Sequence, residues 1–201
     1  MHERARTVTA VPRVRLVRGG FIERRAEVIV DASASVTLVE AADKLIIIDT
    51  GSPAECDKLV FDLRSMRIDP KAVDIVVNTH LHIDHCGCNE LFENAIVFAH
   101  KLESPPIGNA RISGPMTLQP GVEILHTPGH TAGSVTVLVS AEKRYGICGD
   151  AIPTKANYDS HVPPFVAYDK GLALKSMDAI IATSDIIVPG HDNPFEVGRK
   201  R

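Results

Sequence analysis

One stretch of the sequence decides the fold: Asn78-Thr79-His80-Leu81-His82-Ile83-Asp84-His85-Cys86-Gly87. Three histidines and one aspartate fall within six consecutive positions of it. The β-branched run Val73-Asp74-Ile75-Val76-Val77 comes just before and is typical of a buried strand. A short helix is predicted just after, over residues 86–92. The stretch is therefore predicted to be a loop held between a strand and a helix.

The side chains of this loop are suited to binding metal ions. His80 and His82 are two positions apart, so on extended backbone they point the same way and can bind one ion. Asp84 and His85 come after the chain has turned, so we expect them to face a second point close by. Such a dense cluster, in a chain with nine histidines, favours a metal site over isolated surface histidines. Imidazole and carboxylate ligands without thiolate suit zinc, iron or manganese.

Three later stretches carry the same kinds of side chain at the ends of predicted strands. They are Leu125-His126-Thr127-Pro128-Gly129-His130-Thr131-Ala132-Gly133-Ser134, Tyr145-Gly146-Ile147-Cys148-Gly149-Asp150 and Ile186-Ile187-Val188-Pro189-Gly190-His191-Asp192. Each places one candidate ligand beside a glycine, which lets the backbone pack closely. We therefore expect all three to contribute to the same site as the first stretch.

The order of these motifs, H-x-H-x-D-H, T-P-G-H-T-x-G-S, G-D and P-G-H, resembles that of the metallo-β-lactamase-fold hydrolases. The resemblance runs from about residue 36 to residue 195. It implies that residues 1–201 form a single α/β domain, an αββα sandwich of two mixed β-sheets with outer helices. It also implies seven metal ligands: His80, His82 and His130 for one ion, Asp84, His85 and His191 for a second, and Asp150 as the bridge between them.

Other residues are expected to support these ligands or to contact substrate. Asp49 matches a family aspartate that supports the site without binding metal. Thr131 and Ser134, which follow His130, are expected to support the ligands as well. Two irregular segments, 101–113 and 152–168, are predicted to wall the pocket. The candidate substrate contacts in the second segment are Tyr158, His161, Phe165 and Tyr168.

The resemblance implies a dinuclear metal-dependent hydrolase with Asp84 and Asp150 as catalytic carboxylates. Two divalent ions about 3.5–4 Å apart can hold a bridging hydroxide, which is a nucleophile at neutral pH. We expect zinc, with iron or manganese as the alternatives. The predicted substrates are small esters (phosphodiesters, lactones or thioesters) with broad specificity. Two alternatives stay open: a nuclease acting on RNA or DNA, and a mononuclear iron enzyme that oxidises a persulfide.

Composition sets limits on partners and location. Hydrophobic residues make up 44% and charged residues 23% of the chain, as in soluble globular proteins. The net charge of -3 gives no global attraction to nucleic acid or acidic membranes, and the only basic run is Arg199-Lys200-Arg201. Without a long apolar run or a signal peptide, we expect a cytoplasmic protein that binds a small-molecule substrate. Whether it forms a homo-oligomer stays open.

Apolar patterns predict most of the secondary structure. Strands 11–17 and 26–30 are predicted to pair around Gly19-Gly20, and strands 36–40 and 44–48 to form a second hairpin. Further strands are predicted at 96–99, 122–125, 135–139 and 144–148, with a helix at 170–182. Another helix should run from a Ser52 cap to about residue 67, because proline follows the cap and glutamate lies three residues after it. The four cysteines, Cys56, Cys86, Cys88 and Cys148, are expected to be reduced.

Overall fold

The computed structural model describes residues 9–198, so the predicted basic run at 199–201 lies outside the described residues. The strands are β1 (Thr9–Arg18), β2 (Phe21–Arg25), β3 (Val28–Ser33), β4 (Val36–Ala42), β5 (Lys44–Ile48), β6 (Ile75–Val77), β7 (Ile96–His100), β8 (Ala110–Ile112), β9 (Met116–Gln119), β10 (Val122–His126), β11 (Val135–Ser140), β12 (Arg144–Gly149), β13 (Ile186–Pro189) and β14 (Phe195–Glu196). The helices are α1 (Cys56–Ser65), α2 (Ile83–Cys86), α3 (Lys155–Ser160) and α4 (Lys170–Thr183). No helix within residues 9–198 is long and apolar enough to cross a membrane.

The strands form two mixed sheets and one separate hairpin. The first sheet has the order β1-β4-β5-β6-β7-β8, and the second has the order β14-β13-β12-β11-β10-β9. Strands β5 to β8 are parallel in the first sheet, and β12 is parallel to β13 in the second. The central parallel strands β5 and β6 contain short buried apolar runs, such as Ile46-Ile47-Ile48, as expected for strands covered on both faces. Strands β2 and β3 pair only with each other.

The two sheets pack face to face, with a helix on each outer face. Side chains of both sheets share one buried core, which includes Val39, Ile46, Val77, Ile124, Val137 and Ile147. On the outer face of the first sheet, Leu59 and Leu63 of α1 pack against that sheet. On the outer face of the second, Met177 and Ile180 of α4 do the same. Burying each such side chain contributes about 1.5–3 kcal/mol. The αββα sandwich is thus confirmed.

The prediction for the first strands is partly wrong. Strand β1 pairs with β4, whereas β2 and β3 form their own hairpin, and Ala26 lies in the turn between them. Gly19 and Gly20 are not a hairpin turn between the predicted strands. A Cβ at Gly20 would lie 2.3 Å from the carbonyl oxygen of Gly190, so glycine is needed there for close packing of two chain segments. The second predicted hairpin, β4 with β5, is confirmed.

The start of the first helix also differs from the prediction. Pro53–Glu55 is a 3₁₀ turn, and α1 begins at Cys56. Ser52 has the extended backbone of a cap, but its side chain makes no capping hydrogen bond and its buried Oγ has no partner. Glu55 does not complete a capping box, because its carboxylate binds Arg18 and Lys58 instead.

Two of the four cysteines are not reduced. Cys56 and Cys88 form a disulfide with a Cα–Cα distance of 5.5 Å, so the expectation of free thiols is wrong for this pair. The bond forms because the start of α1 packs beside the turn that follows α2, a contact between segments distant in sequence. Cys86 and Cys148 are free, as expected. The disulfide therefore ties α1 to the segment just after the cluster of histidines.

Candidate metal centre

The seven predicted ligands lie together at one edge of the sandwich. They follow the carboxyl ends of β6, β10, β12 and β13, and parallel strands place their carboxyl ends at the same edge, where ligands commonly bind in α/β proteins. The helix predicted over residues 86–92 begins earlier, as α2 at Ile83, and a 3₁₀ turn follows at Asn89–Leu91. The residues brought together are His80, His82, Asp84, His85, His130, Asp150 and His191.

The first group consists of His80, His82 and His130. Nε2 of His130 lies 3.2 Å from Nε2 of His80 and 3.0 Å from Nδ1 of His82. A zinc ion with bonds of 2.0–2.1 Å in tetrahedral geometry holds its nitrogen ligands about 3.3 Å apart. The spacing of these three nitrogens therefore fits a single ion between them.

The second group consists of Asp84, His85 and His191. Nε2 of His191 lies 3.5 Å from Oδ2 of Asp84, and Nε2 of His85 lies 4.0 Å from the same oxygen. The ligand atoms of this group all lie within 4.8 Å of one another. Two imidazoles and a carboxylate form a donor set that suits zinc, iron or manganese.

Asp150 lies between the two groups, with one oxygen towards each. Its Oδ1 is 3.4 Å from Nε2 of His85 and 3.2 Å from Nε2 of His191. Its Oδ2 is 3.5 Å from Nε2 of His130. This placement is the one that a carboxylate bridging two ions would need.

Two atoms of the cluster have no hydrogen-bond partner although they are buried. They are Nε2 of His85 and Oδ1 of Asp150. A buried polar atom left unsatisfied costs about 1–3 kcal/mol. Because both atoms point to the space between the groups, a bound ion would satisfy both, and the residues present fit metal ions there.

Hydrogen bonds behind two of the histidines place a ring hydrogen on the nitrogen that faces away from the cluster. Nδ1 of His130 is 2.8 Å from the carbonyl oxygen of Val166, and Nδ1 of His191 is 3.1 Å from that of Ser33. A carbonyl oxygen only accepts, so each Nδ1 carries a hydrogen, and in the neutral ring each Nε2 presents its lone pair to the cluster. This is the tautomer that a metal ligand requires.

The electrostatics of three members of the cluster suit the same role. Burial lowers the pKa of His80 well below its ordinary value and also lowers the pKa of His130, so both rings are neutral at neutral pH. Burial alone would raise the pKa of Asp150, but His85 and His191 outweigh it and hold that pKa well below its ordinary value. Neutral imidazoles and an ionised carboxylate are the forms that bind metal. Burial would also lower the pKa values of His85 and His191, but the neighbouring carboxylates outweigh it and raise both pKa values instead.

Asp49 lies directly behind the predicted ligands. It follows β5, is buried and has a left-handed backbone with φ of 54°. Its carboxylate accepts hydrogen bonds from the amide and the hydroxyl of Thr79, each at 2.7 Å, and from Nδ1 of His85 at 2.8 Å. It therefore orients the ligand loop without facing the space between the groups.

Thr131 and Ser134 stabilise the turn that follows His130. The amide of Thr131 donates to Oγ of Ser134 at 3.1 Å. The Thr131 hydroxyl donates to Glu103 at 2.6 Å. Glu103 was missed in the sequence, because an acidic residue in an irregular segment gives no signal of such a contact.

A cavity of about 390 Å³ opens onto the cluster. Its inner end is lined by the metal-binding groups, with His82, Asp84, His130, Asp150 and His191. Its outer part is apolar, with Ile22, Ile29, Val30, Pro164, Phe165 and Val166. One wall is the β2–β3 hairpin, which was not predicted, because its many exposed and charged residues indicate an ordinary surface hairpin.

Most of the predicted substrate contacts lie elsewhere. Phe165 lines the cavity, but Tyr158, His161 and Tyr168 do not. Tyr158 packs on the Phe195 ring, and His161 pairs with an aspartate of α4 at 2.7 Å. Segment 101–113 does not line the cavity either, because it packs behind the ligand loops. Segment 152–168 forms part of the wall, as predicted, and contains α3.

An αββα sandwich with such a cluster at the strand ends defines a metal-binding protein of the metallo-β-lactamase fold class. The family model described as the metallo-beta-lactamase superfamily matches residues 30–117. A probable metallo-hydrolase of Methanocaldococcus jannaschii is 33% identical over 179 residues, which span 89% of this chain and 86% of the relative. The chain belongs to the metallo-β-lactamase superfamily and is a metal-dependent hydrolase.

Two further similarities fit this conclusion. An N-acyl homoserine lactonase of a Bacillus species is 28% identical over 207 residues, covering 81% of this chain and 82% of the relative. The crystal structure of a candidate metallo-β-lactamase from Thermotoga maritima matches with a TM-score of 0.79 at 22% identity. That match covers 92% of this chain and 99% of the other, and it supports the fold.

Proposed function

We propose that the protein is a dinuclear hydrolase of small esters. The observation that carries the proposal is the placement of Asp150, with one carboxylate oxygen towards each group of ligands. A single ion would leave one of the two groups of candidate ligands unbound. When bound, the two ions supply Lewis acidity and an activated water molecule for hydrolysis.

Three aspartates of the chain have separate roles in this proposal. Asp150 holds the two groups at a fixed separation, and Asp49 keeps the His85 ring in place. Asp84 is the carboxylate of the second group that remains partly exposed, and it lines the cavity. It is therefore placed to accept the proton of the attacking water and to pass it to the leaving group.

The cavity supports a small substrate with an apolar substituent. Its volume of about 390 Å³ is in the range of small-molecule sites. The reacting ester would lie at the polar inner end, and the substituent would contact the apolar outer wall. Arg24 is the one cation among the lining residues, whereas binding of a long nucleic acid needs several. The lactonase relative supports lactones as substrates, and thioesters and aryl phosphodiesters are included as predicted from the sequence.

A panel of substrates tests the proposal. The protein loaded with zinc, and separately with manganese or iron, is assayed on an acyl lactone, a thioester, a bis-aryl phosphodiester and a structured RNA. We expect turnover of the small esters and none of the RNA at matched phosphate concentration. Salt-sensitive RNA cleavage without small-ester turnover would favour the nuclease alternative. One iron per chain together with persulfide oxidation would favour the mononuclear alternative.

A further inference from the structure

Glu103 contacts both loops that carry the first group of ligands. It ends the 3₁₀ turn Lys101–Glu103 after β7 and is half-buried. Its Oε2 accepts a hydrogen bond from the amide of Leu81 at 3.1 Å. Its Oε1 accepts from the hydroxyl of Thr131 at 2.6 Å and from the amide of Gly133 at 2.8 Å. One carboxylate thus joins two segments that are far apart in the sequence.

The residues that donate to Glu103 lie next to the candidate ligands of the first group. Leu81 lies between His80 and His82, and Thr131 directly follows His130. The three imidazoles of the first group therefore sit on the two loops that Glu103 connects. Hydrogen bonds to an ionised carboxylate are shorter and stronger than neutral ones, so the connection is firm.

The packing around Glu103 is close and leaves it little freedom. A Cβ at Gly133 would lie 2.6 Å from Oε1 of Glu103 and 2.9 Å from its backbone nitrogen. Gly133 therefore gives room to the glutamate. The 3₁₀ turn is anchored in its own right, since Nδ1 of His100 accepts from the amide of Leu102 and the His100 ring stacks on His126 at 4.2 Å.

We propose that Glu103 is a positioning residue for the first metal group. It sets the distance between the His80–His82 loop and His130, and it neither belongs to the metal-binding groups nor lines the cavity. The inference rests on the proposed function only in that this group binds an ion. Residues that orient metal ligands from behind typically contribute about 10–100-fold to metal affinity, and we expect that range for Glu103.

The test measures zinc and cobalt affinity in backgrounds that retain one complete group. His191→Ala keeps the first group, and His82→Ala keeps the second. Glu103→Gln preserves the size of the side chain but replaces one accepting oxygen with a donating amide. It should weaken binding about 10–100-fold in the His191→Ala background and change the cobalt absorption spectrum there. In the His82→Ala background it should have little effect.

Two further variants complete the experiment. Gly133→Ala displaces the same carboxylate and should weaken binding of the same ion. It therefore tests the inference even if Glu103→Gln folds poorly. The matched control is Glu93→Gln, at an exposed glutamate that pairs with Lys71 on the surface. It should change the affinity for neither ion.

The outcomes separate this inference from the proposed function. Unchanged affinity of the first group in both Glu103→Gln and Gly133→Ala would overturn it. So would equal weakening of both groups accompanied by a lower Tm of the metal-free protein, because that pattern marks a merely structural role. If the parent protein bound no metal at all, the proposed function itself would fail.

Discussion

Nδ1 of His85 lies 2.8 Å from Oδ2 of Asp49, and this pair is buried directly behind the second group of ligands. The same carboxylate holds Thr79, the residue before the first ligand of the loop. One side chain thus fixes both the start of the loop and the ring orientation of His85, the third residue of α2. We therefore expect the metal affinity to depend on Asp49, a residue that does not belong to the metal-binding groups.

Asp49→Asn should therefore weaken metal binding. The amide has one oxygen in place of two and cannot accept all three hydrogen bonds, so we expect about 10–100-fold lower affinity for the second ion. Metal content after dialysis at fixed free zinc measures the effect. Asp57→Asn, at an exposed position of α1, is the control. Wild-type affinity in Asp49→Asn would show that Thr79 and the packing alone hold His85.

The protein should bind two divalent ions per chain, because the cluster contains two groups and a carboxylate between them. Elemental analysis after purification without chelator should approach two equivalents. A metal content fixed at one ion per chain after supplementation would contradict the dinuclear assignment.

Asp150→Asn should lose activity by orders of magnitude while the metal-free protein keeps its fold, whereas Asp159→Asn on exposed α3 should be neutral.

Local patterns explain how much of the site the sequence could predict. The spacing of His80, His82, Asp84 and His85 is a property of six neighbouring residues, so it can be recognised without knowing the fold. The β4–β5 hairpin is likewise local, with a single turn between two apolar runs. The ligands beside Gly129, Gly149 and Gly190 could be found because each follows a strand-like run.

What the sequence could not predict depends on contacts between distant segments. Glu103, the Cys56–Cys88 disulfide and the β2–β3 wall acquire their roles only when separate loops meet in space. Ser52 shows the reverse case, in which a good local capping pattern is overridden, because Arg18 and Lys58 bind the glutamate that would complete it. Tertiary contacts thus outweighed a local signal worth about 1 kcal/mol.

Phe165→Ala should weaken binding of substrates with long apolar substituents. Phe165 lines the outer cavity, and the Arg24 guanidinium lies 5.5 Å from its ring centroid. Removing the ring exposes apolar substrate surface to water, so KM should rise with each methylene of the substituent while kcat changes little. A series of lactones or thioesters of increasing chain length measures this. Tyr168→Ala, an exposed aromatic outside the cavity, is the control; equal effects of both variants would contradict the assigned wall.

Removing the disulfide should destabilise the fold. The cross-link joins residues with a sequence separation of 32, so the chain-entropy model gives about 3–4 kcal/mol. We expect urea unfolding to show that the double variant Cys56→Ser with Cys88→Ser has a free energy of unfolding lower by this amount. A reductant should lower the stability of the wild type and leave the double variant unchanged. If reductant lowered the stability of both proteins equally, its effect would not come from the Cys56–Cys88 disulfide.

Glu55→Gln should destabilise the protein at neutral pH and less in acid. Hydrogen bonds from Lys58 and then Arg18 hold the pKa of Glu55 below its ordinary value of 4.5, although burial opposes them. Because the folded pKa is the lower one, ionised Glu55 stabilises the fold above pH 4.5, and this contribution is lost as the pH falls through the folded pKa. We expect a loss of about 1–3 kcal/mol at pH 7.

Urea unfolding between pH 7 and pH 3 measures this pH dependence. The difference between wild type and Glu55→Gln should shrink steadily below pH 4.5. Glu142→Gln, at an exposed position, should show no such trend. A difference that stays constant with pH would mean that packing, rather than charge, makes Glu55 important.

The candidate metal centre draws its residues from both sheets, and this has a consequence for biosynthesis. A ribosome releases the loop of His80 to His85 well before it reaches His191, at about 5–20 residues per second. A nascent chain that stops short of β13 holds at most a partial set of ligands, and such a site is rarely preformed. We therefore expect both groups of ligands to be complete, and able to hold two ions, only after β13 and His191 have been synthesised.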